Sequence, residues 1–124
     1  MDDRNTTDVD EFFAGRDRAR QIYERVAEVI MQIGPATTRV SKSQIAFRRK
    51  TGFASVWTPD RYLSNTDVPL VLTVLLRRRD TSGRWKEVVE PGDGRFTHHM
   101  ELREPEDVDQ QVAGWLEEAW KLAG

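Results

Sequence analysis

Apolar positions along this 124-residue chain change period twice, from helical spacing to strand alternation and back. Near the start, Ala19, Ile22, Val26, Val29, Ile30 and Ile33 recur at intervals of about three and four residues, which draws one buried stripe along a helix. That stripe predicts a helix over residues 17–33, closed by Gly34-Pro35. Glycine suits a left-handed residue after a helix, and proline cannot extend one. A shorter helix is expected from Val9 through Phe13, capped by Thr7 or Asp8, with Asp10 and Glu11 favouring its positive end. Gly15 separates the two. Residues 1–7 are polar and expected to form a flexible N-terminus, leaving 8–124 as one domain.

The middle of the chain reads as strands. Residues 38–47 and 53–57 are rich in β-branched and aromatic side chains, and 69–76 is almost entirely apolar. The last run lacks alternation, which predicts a central strand covered on both faces. Asp80-Thr81-Ser82-Gly83 reads as a turn. Trp85, Val88 and Val89 fall at helical spacing, so a short helix is expected before Pro91-Gly92-Asp93-Gly94. Beyond Pro105, the stripe Val108, Val112, Trp115, Ala119 and Leu122 predicts a final helix capped near Glu106 or Asp107. The fold class is therefore α+β: a single domain with a mainly antiparallel sheet of about 4–5 strands, packed against N-terminal and C-terminal helices.

Between the last turn and the final helix, Phe96-Thr97-His98-His99-Met100-Glu101-Leu102 alternates apolar and polar residues. It contains both histidines of the chain. Neighbouring side chains on a strand point to opposite faces, so this pair cannot close on one metal ion or act as one acid–base dyad. His98 shares its parity with Phe96, Met100 and Leu102 and is expected in the core, where burial lowers its pKa unless a carboxylate partners it. His99 shares its parity with Thr97, Glu101 and Arg103 and is expected to face solvent or a ligand.

The order of short motifs adds a family resemblance. Phe13-Ala14-Gly15-Arg16, Ile22-Tyr23, Ile33-Gly34-Pro35, Ser41-Lys42-Ser43, Ala46-Phe47, Phe53-Ala54, Arg84-Trp85, His98-His99-Met100-Glu101-Leu102 and Trp115-Leu116-Glu117-Glu118-Ala119 follow one another between residues 9 and 123. This succession resembles the bacterial family of domain of unknown function 5655, which is common in actinobacteria. Some relatives carry a cysteine-and-histidine zinc ribbon ahead of this domain, and this sequence has none. The resemblance supports the fold reading and supplies no catalytic residue to map.

Composition narrows the chemistry further. Without cysteine there is no disulfide, thiolate metal site or thiol nucleophile, and a reducing cytoplasm is the expected location. No apolar run approaches the roughly 20 residues that span a bilayer, so no membrane association is expected. No metal is expected either: His99 and Glu101 supply two ligands at most from one strand face. Gly-x-Ser-x-Gly and phosphate-cradling glycine loops are both missing, no cofactor is implied, and the reading leans against an enzyme.

Net charge is only −2, yet the charges are segregated, with bases crowding residues 39–50 and 77–86. Lys42 and Arg48 share strand parity, and Arg77 ends the apolar strand. Trp85 lies near the second basic run. Arginine forks beside an indole face can hold a phosphate, a carboxylate or an unstacked base. The candidate ligand-binding residues are Lys42, Arg48, Arg77, Trp85 and His99. The favoured reading is a non-catalytic binding or interaction module, with a homodimer and an anionic small ligand or nucleotide as candidate partners. One alternative is a small-molecule enzyme with a polar site around His99, Glu101, Arg103 and Lys42. Another is a weak binder of nucleotides or single-stranded nucleic acid.

Overall fold

The computed structural model describes residues 3–61, 63 and 66–124, with side chains from Asp8 onward. Two helices open the chain, α1 over Asp3–Phe12 and α2 over Asp17–Ile33. Six strands follow: β1 Thr37–Val40, β2 Ile45–Arg48, β3 Gly52–Trp57, β4 Leu70–Leu76, β5 Glu87–Gly92 and β6 Arg95–Leu102. A last helix, α3, spans Gln110–Leu122. The α+β architecture with helices at both ends thus matches expectation, with six strands rather than four or five. All pairings are antiparallel, and the sheet order is β1-β2-β3-β4-β6-β5.

Helix α2 forms on the expected stripe, with Ala19, Ile22, Val26, Val29 and Ile30 buried. Gly15, at φ +73°, supplies the left-handed turn from α1 into α2. Gly34 has a different role from the one its position suggests. Its backbone is extended, and a Cβ there would overlap the Trp120 ring, 2.8 Å from Cε2. Gly34 is small because α3 packs against it, not because a left-handed residue is required. Trp120 fixes this contact by donating from Nε1 to the Pro35 carbonyl at 2.9 Å.

Strand register divides the sheet into two faces. Leu70, Leu72, Val74 and Leu76 of β4, with Met100 and Leu102 of β6 and Val56 of β3, join the core beneath α2 and α3. The opposite face carries a continuous cross-strand row: Arg39, Ala46, Ser55, Thr73, His99 and Glu87. β4 is central as expected, but its two faces are unequal. Val71 and Thr73 are buried among cross-strand neighbours, whereas Leu75 is 40% exposed.

Four expected elements differ. Residues 38–47 form not one strand but a β1–β2 hairpin, in which the Ser41 hydroxyl accepts from the Gln44 N–H at 3.2 Å and closes the turn. The short helix expected at Trp85–Val89 is instead the edge strand β5, whose Val88 lies opposite His98 and faces the core. α1 begins at Asp3, ahead of Thr7 and Asp8, so neither starts it. Of the expected flexible segment 1–7, residues 1 and 2 lie outside the described residues. Before α3, a 3-10 turn spans Pro105–Asp107, and Asp109 rather than Glu106 or Asp107 caps the helix, accepting from the Val112 N–H at 3.1 Å.

Candidate functional site

The residues singled out from sequence do not converge on one place. Lys42 sits in the β1–β2 turn and Arg48 at the opposite end of β2, so their expected shared strand parity is removed by the hairpin. Trp85 is only 8% exposed and lies on the helix side of the sheet. Its ring packs at 4.4 Å on Trp115 and edge-on to His98 at 4.8 Å. An indole held there offers no face to a ligand.

His98 is fully buried, as its parity predicts. Both ring nitrogens are engaged: Nδ1 donates to the Phe96 carbonyl at 3.2 Å, and Nε2 accepts from the Asp80 backbone N–H at 3.0 Å. That pattern belongs to the neutral imidazole. Burial lowers its pKa from the ordinary 6.5, outweighing the Phe96 carbonyl and the Asp80 charge. Below 6.5 the unfolded chain therefore binds the proton more readily than the fold does. Stability contributed by neutral His98 is present above 6.5 and is lost as pH falls through the folded value. A proton NMR titration should find His98 titrating below 6.5, or not at all before unfolding. A His98 midpoint at or above 6.5 would contradict its burial.

Asp80 anchors the same network. One carboxylate oxygen accepts from the Trp85 indole N–H at 2.8 Å and from the Ser82 N–H at 3.0 Å. The other accepts from Arg78 at 2.8 Å, and Arg78 also grips Glu118 on α3 through two bonds of 2.9 Å. Burial pushes the Asp80 carboxyl up, but the bonds from Trp85, Arg78 and Ser82 outweigh it and hold the pKa at about 2. This cluster ties the β4–β5 loop to α3. Its polar groups are satisfied by one another, which marks it as structural.

On the other face, His99 lies where its parity places it. Its Nδ1 is 2.9 Å from the Thr73 hydroxyl, and Glu87 stands opposite it on β5. Glu101 and Arg103 lie along the same side, with Arg103 bridging Asp67 at 3.1 Å and Glu101 at 3.8 Å. The sheet therefore joins three of the four residues of the enzyme alternative and leaves Lys42 in the hairpin turn. A hydroxyl beside an imidazole is the start of a nucleophile–base pair. Thr73, however, is only 7% exposed, and no hydrogen bond from His99 to a carboxylate orients the ring among the described residues. Nor is there a group of three or more metal-ligating side chains among them.

The end of the sheet where β4 finishes and β6 begins is different in kind. Arg77 directly follows Leu76, the last paired residue of β4, and Arg95 directly precedes Phe96, its partner on β6. Neither arginine has an acidic partner among the described residues. Both line a cleft of about 340 Å³ that also reaches the C-terminal turn of α3. Its other walls are largely apolar, including Phe53, Leu75, Leu76, Phe96 and Leu122, and no acid lines it. Arg48 reaches the same end of the sheet through its pairing with Gly52, but stands outside the cleft wall. Sequence reading singled out Arg77 and Arg48 here and missed Arg95, whose signal would have been its place at the start of an alternating strand.

Among the described residues, no helix is long and apolar enough to cross a membrane. No curated protein and no solved structure matches the chain. A family model does match, over residues 9–123, and the chain belongs to that family, described as Domain of unknown function (DUF5655).

Proposed function

We propose that this chain is a non-catalytic binding module of the bacterial, specifically actinobacterial, cytoplasm, and that it holds an anion at the basic end of its sheet. The observation that carries this reading is that Arg77 and Arg95 line one cleft whose lining holds no acidic residue. Like charges close together at the ends of neighbouring strands repel. Neighbouring arginines do have acidic partners, Arg78 with Asp80 and Glu118 and Arg84 with Asp109. An anion between Arg77 and Arg95 supplies the missing charge, and two guanidinium forks can grip it bidentately. Arg48 adds to the local field without touching the cleft. The absence of cysteine supports the cytoplasmic assignment.

Stacked nucleobases are the less favoured ligand. Base stacking needs an exposed aromatic face, and Trp85 is buried, Phe53 is covered and Phe96 lies under Arg79. The test is a thermal-shift titration with inorganic phosphate, AMP and a short oligothymidylate at low ionic strength. A ligand binding only the native state raises the midpoint, and the gain should fade as salt screens the charges. In Arg77→Ala/Arg95→Ala the gain should disappear, while stability without ligand is no lower than wild type because the repulsion is gone. Wild-type protein that shifts with none of these anions at low salt contradicts the proposal.

A further inference from the structure

We infer that the ligand of this cleft is an amphipathic anion: one carboxylate or phosphate head joined to an apolar tail. The inference rests on the anion-binding reading above and adds the tail.

Two exposed apolar residues line the same cleft as the two arginines. Leu75 is 40% exposed and Leu122 is 42% exposed, and both line the cleft with Arg77 and Arg95. They come from different elements, β4 and the last turn of α3, so the apolar lining is a product of the fold rather than of one amphipathic stretch. Isolated exposed leucines are ordinary on a protein surface. Two that line one cleft together with Leu76 and Phe96 give it an apolar part that a bare inorganic ion leaves wet.

Size and charge favour a small molecule over a polymer. At ~30 Å³ for each water-sized group, the cleft accepts on the order of ten heavy atoms. The two arginines at one end provide a head-group site, whereas a nucleic-acid strand needs a track of several cations with aromatic rings between them. A ligand with its head between Arg77 and Arg95 and its tail against Leu75 and Leu122 satisfies both halves of the site. Mostly apolar lining with a few converging polar groups is the usual make-up of a small-molecule pocket.

The test is a calorimetric titration at low ionic strength with acetate, butanoate, hexanoate and octanoate, using 1-octanol as the tail without a head and inorganic phosphate as a head without a tail. Affinity should rise about fourfold for each methylene that enters the cleft. Octanoate should bind more tightly than octanol, and this advantage should vanish in Arg77→Ala/Arg95→Ala. The variant Leu75→Thr/Leu122→Gln, at two already exposed positions, should lose the dependence on chain length and keep phosphate binding. Phosphate binding with no gain from acetate to octanoate overturns the amphipathic ligand and leaves the anion site standing. Octanol binding as well as octanoate overturns it too, since the arginines are then irrelevant. Failure of both phosphate and every carboxylate overturns the inference together with the reading beneath it.

Discussion

Trp115→Ala should cost about 3–5 kcal/mol, enough to remove much of the stability of a domain this size. Trp115 is buried on the face of α3 that meets the sheet, together with Val112, Leu116 and Ala119. Its ring lies 4.4 Å from Trp85, which in turn touches His98 of β6. Truncation therefore removes the bridge between α3 and the far half of the sheet, and opens a cavity beside the Asp80 cluster rather than at a yielding surface. Chemical denaturation measures the loss directly. A midpoint unchanged within error would mean that α3 presents another face to the sheet.

The second large effect belongs to Asp80. Asp80→Ala leaves the Trp85 indole N–H without its acceptor, releases the Ser82 N–H and frees Arg78 from the loop. The donors depend on one another, so their losses do not sum, and the expected cost is about 2–4 kcal/mol. The pH dependence has a definite sign. With its folded pKa held at about 2 against 3.8 for the ordinary group, Asp80 stabilises the fold above about pH 4. That contribution, about 2 kcal/mol, is lost as pH falls from there through about 2. His98 loses its own contribution in a higher window, as pH falls below 6.5. Wild-type stability should thus decline first through the histidine and then through the carboxylate. Asp80→Ala should show a smaller second decline, because Asp109 and Asp67, whose pKa values are also lowered, remain. A variant that loses as much stability as wild type between pH 4 and pH 2 would show that other carboxylates dominate acid unfolding.

Much of the fold was legible because periodicity reports burial. The stripe of α2, the alternation of β6 and the apolar run of β4 each place residues on the correct face. The two histidines divide as that alternation requires, His98 inside and His99 outside. What failed has a local physical reason. β5 is an edge strand with charged Glu87 and Glu90 and a bulge between Val89 and Gly92, so it carries no clean alternation. Trp85 precedes that strand and is drawn into the core by Asp80, which gives it and Val88 a false helical spacing. The β1–β2 reversal contains neither glycine nor proline and is held by the Ser41 hydroxyl, a weaker signal in a sequence.

The candidate site was less legible than the fold because it depends on a pairing across a gap in the chain. Arg77 and Arg95 become neighbours only when β6 returns between β4 and β5, and no local pattern specifies that order. The contribution of α3 to the cleft is equally non-local, since Leu122 looks like the end of a core stripe and is instead 42% exposed. Lys42 and Arg48 looked like one basic face until the hairpin placed them at opposite ends of β2.

The location of the site is the claim on which the functional account stands. Its most direct test is a two-dimensional amide NMR titration of the wild-type protein with octanoate at low ionic strength. Saturable shifts should map to the amides of Gly52 and Phe53, Leu75 to Arg77, Arg95 to Thr97, and Leu122 and Ala123, which line the cleft. Shifts centred on Thr73, His99 and Glu101, or no saturable shift anywhere, would contradict it.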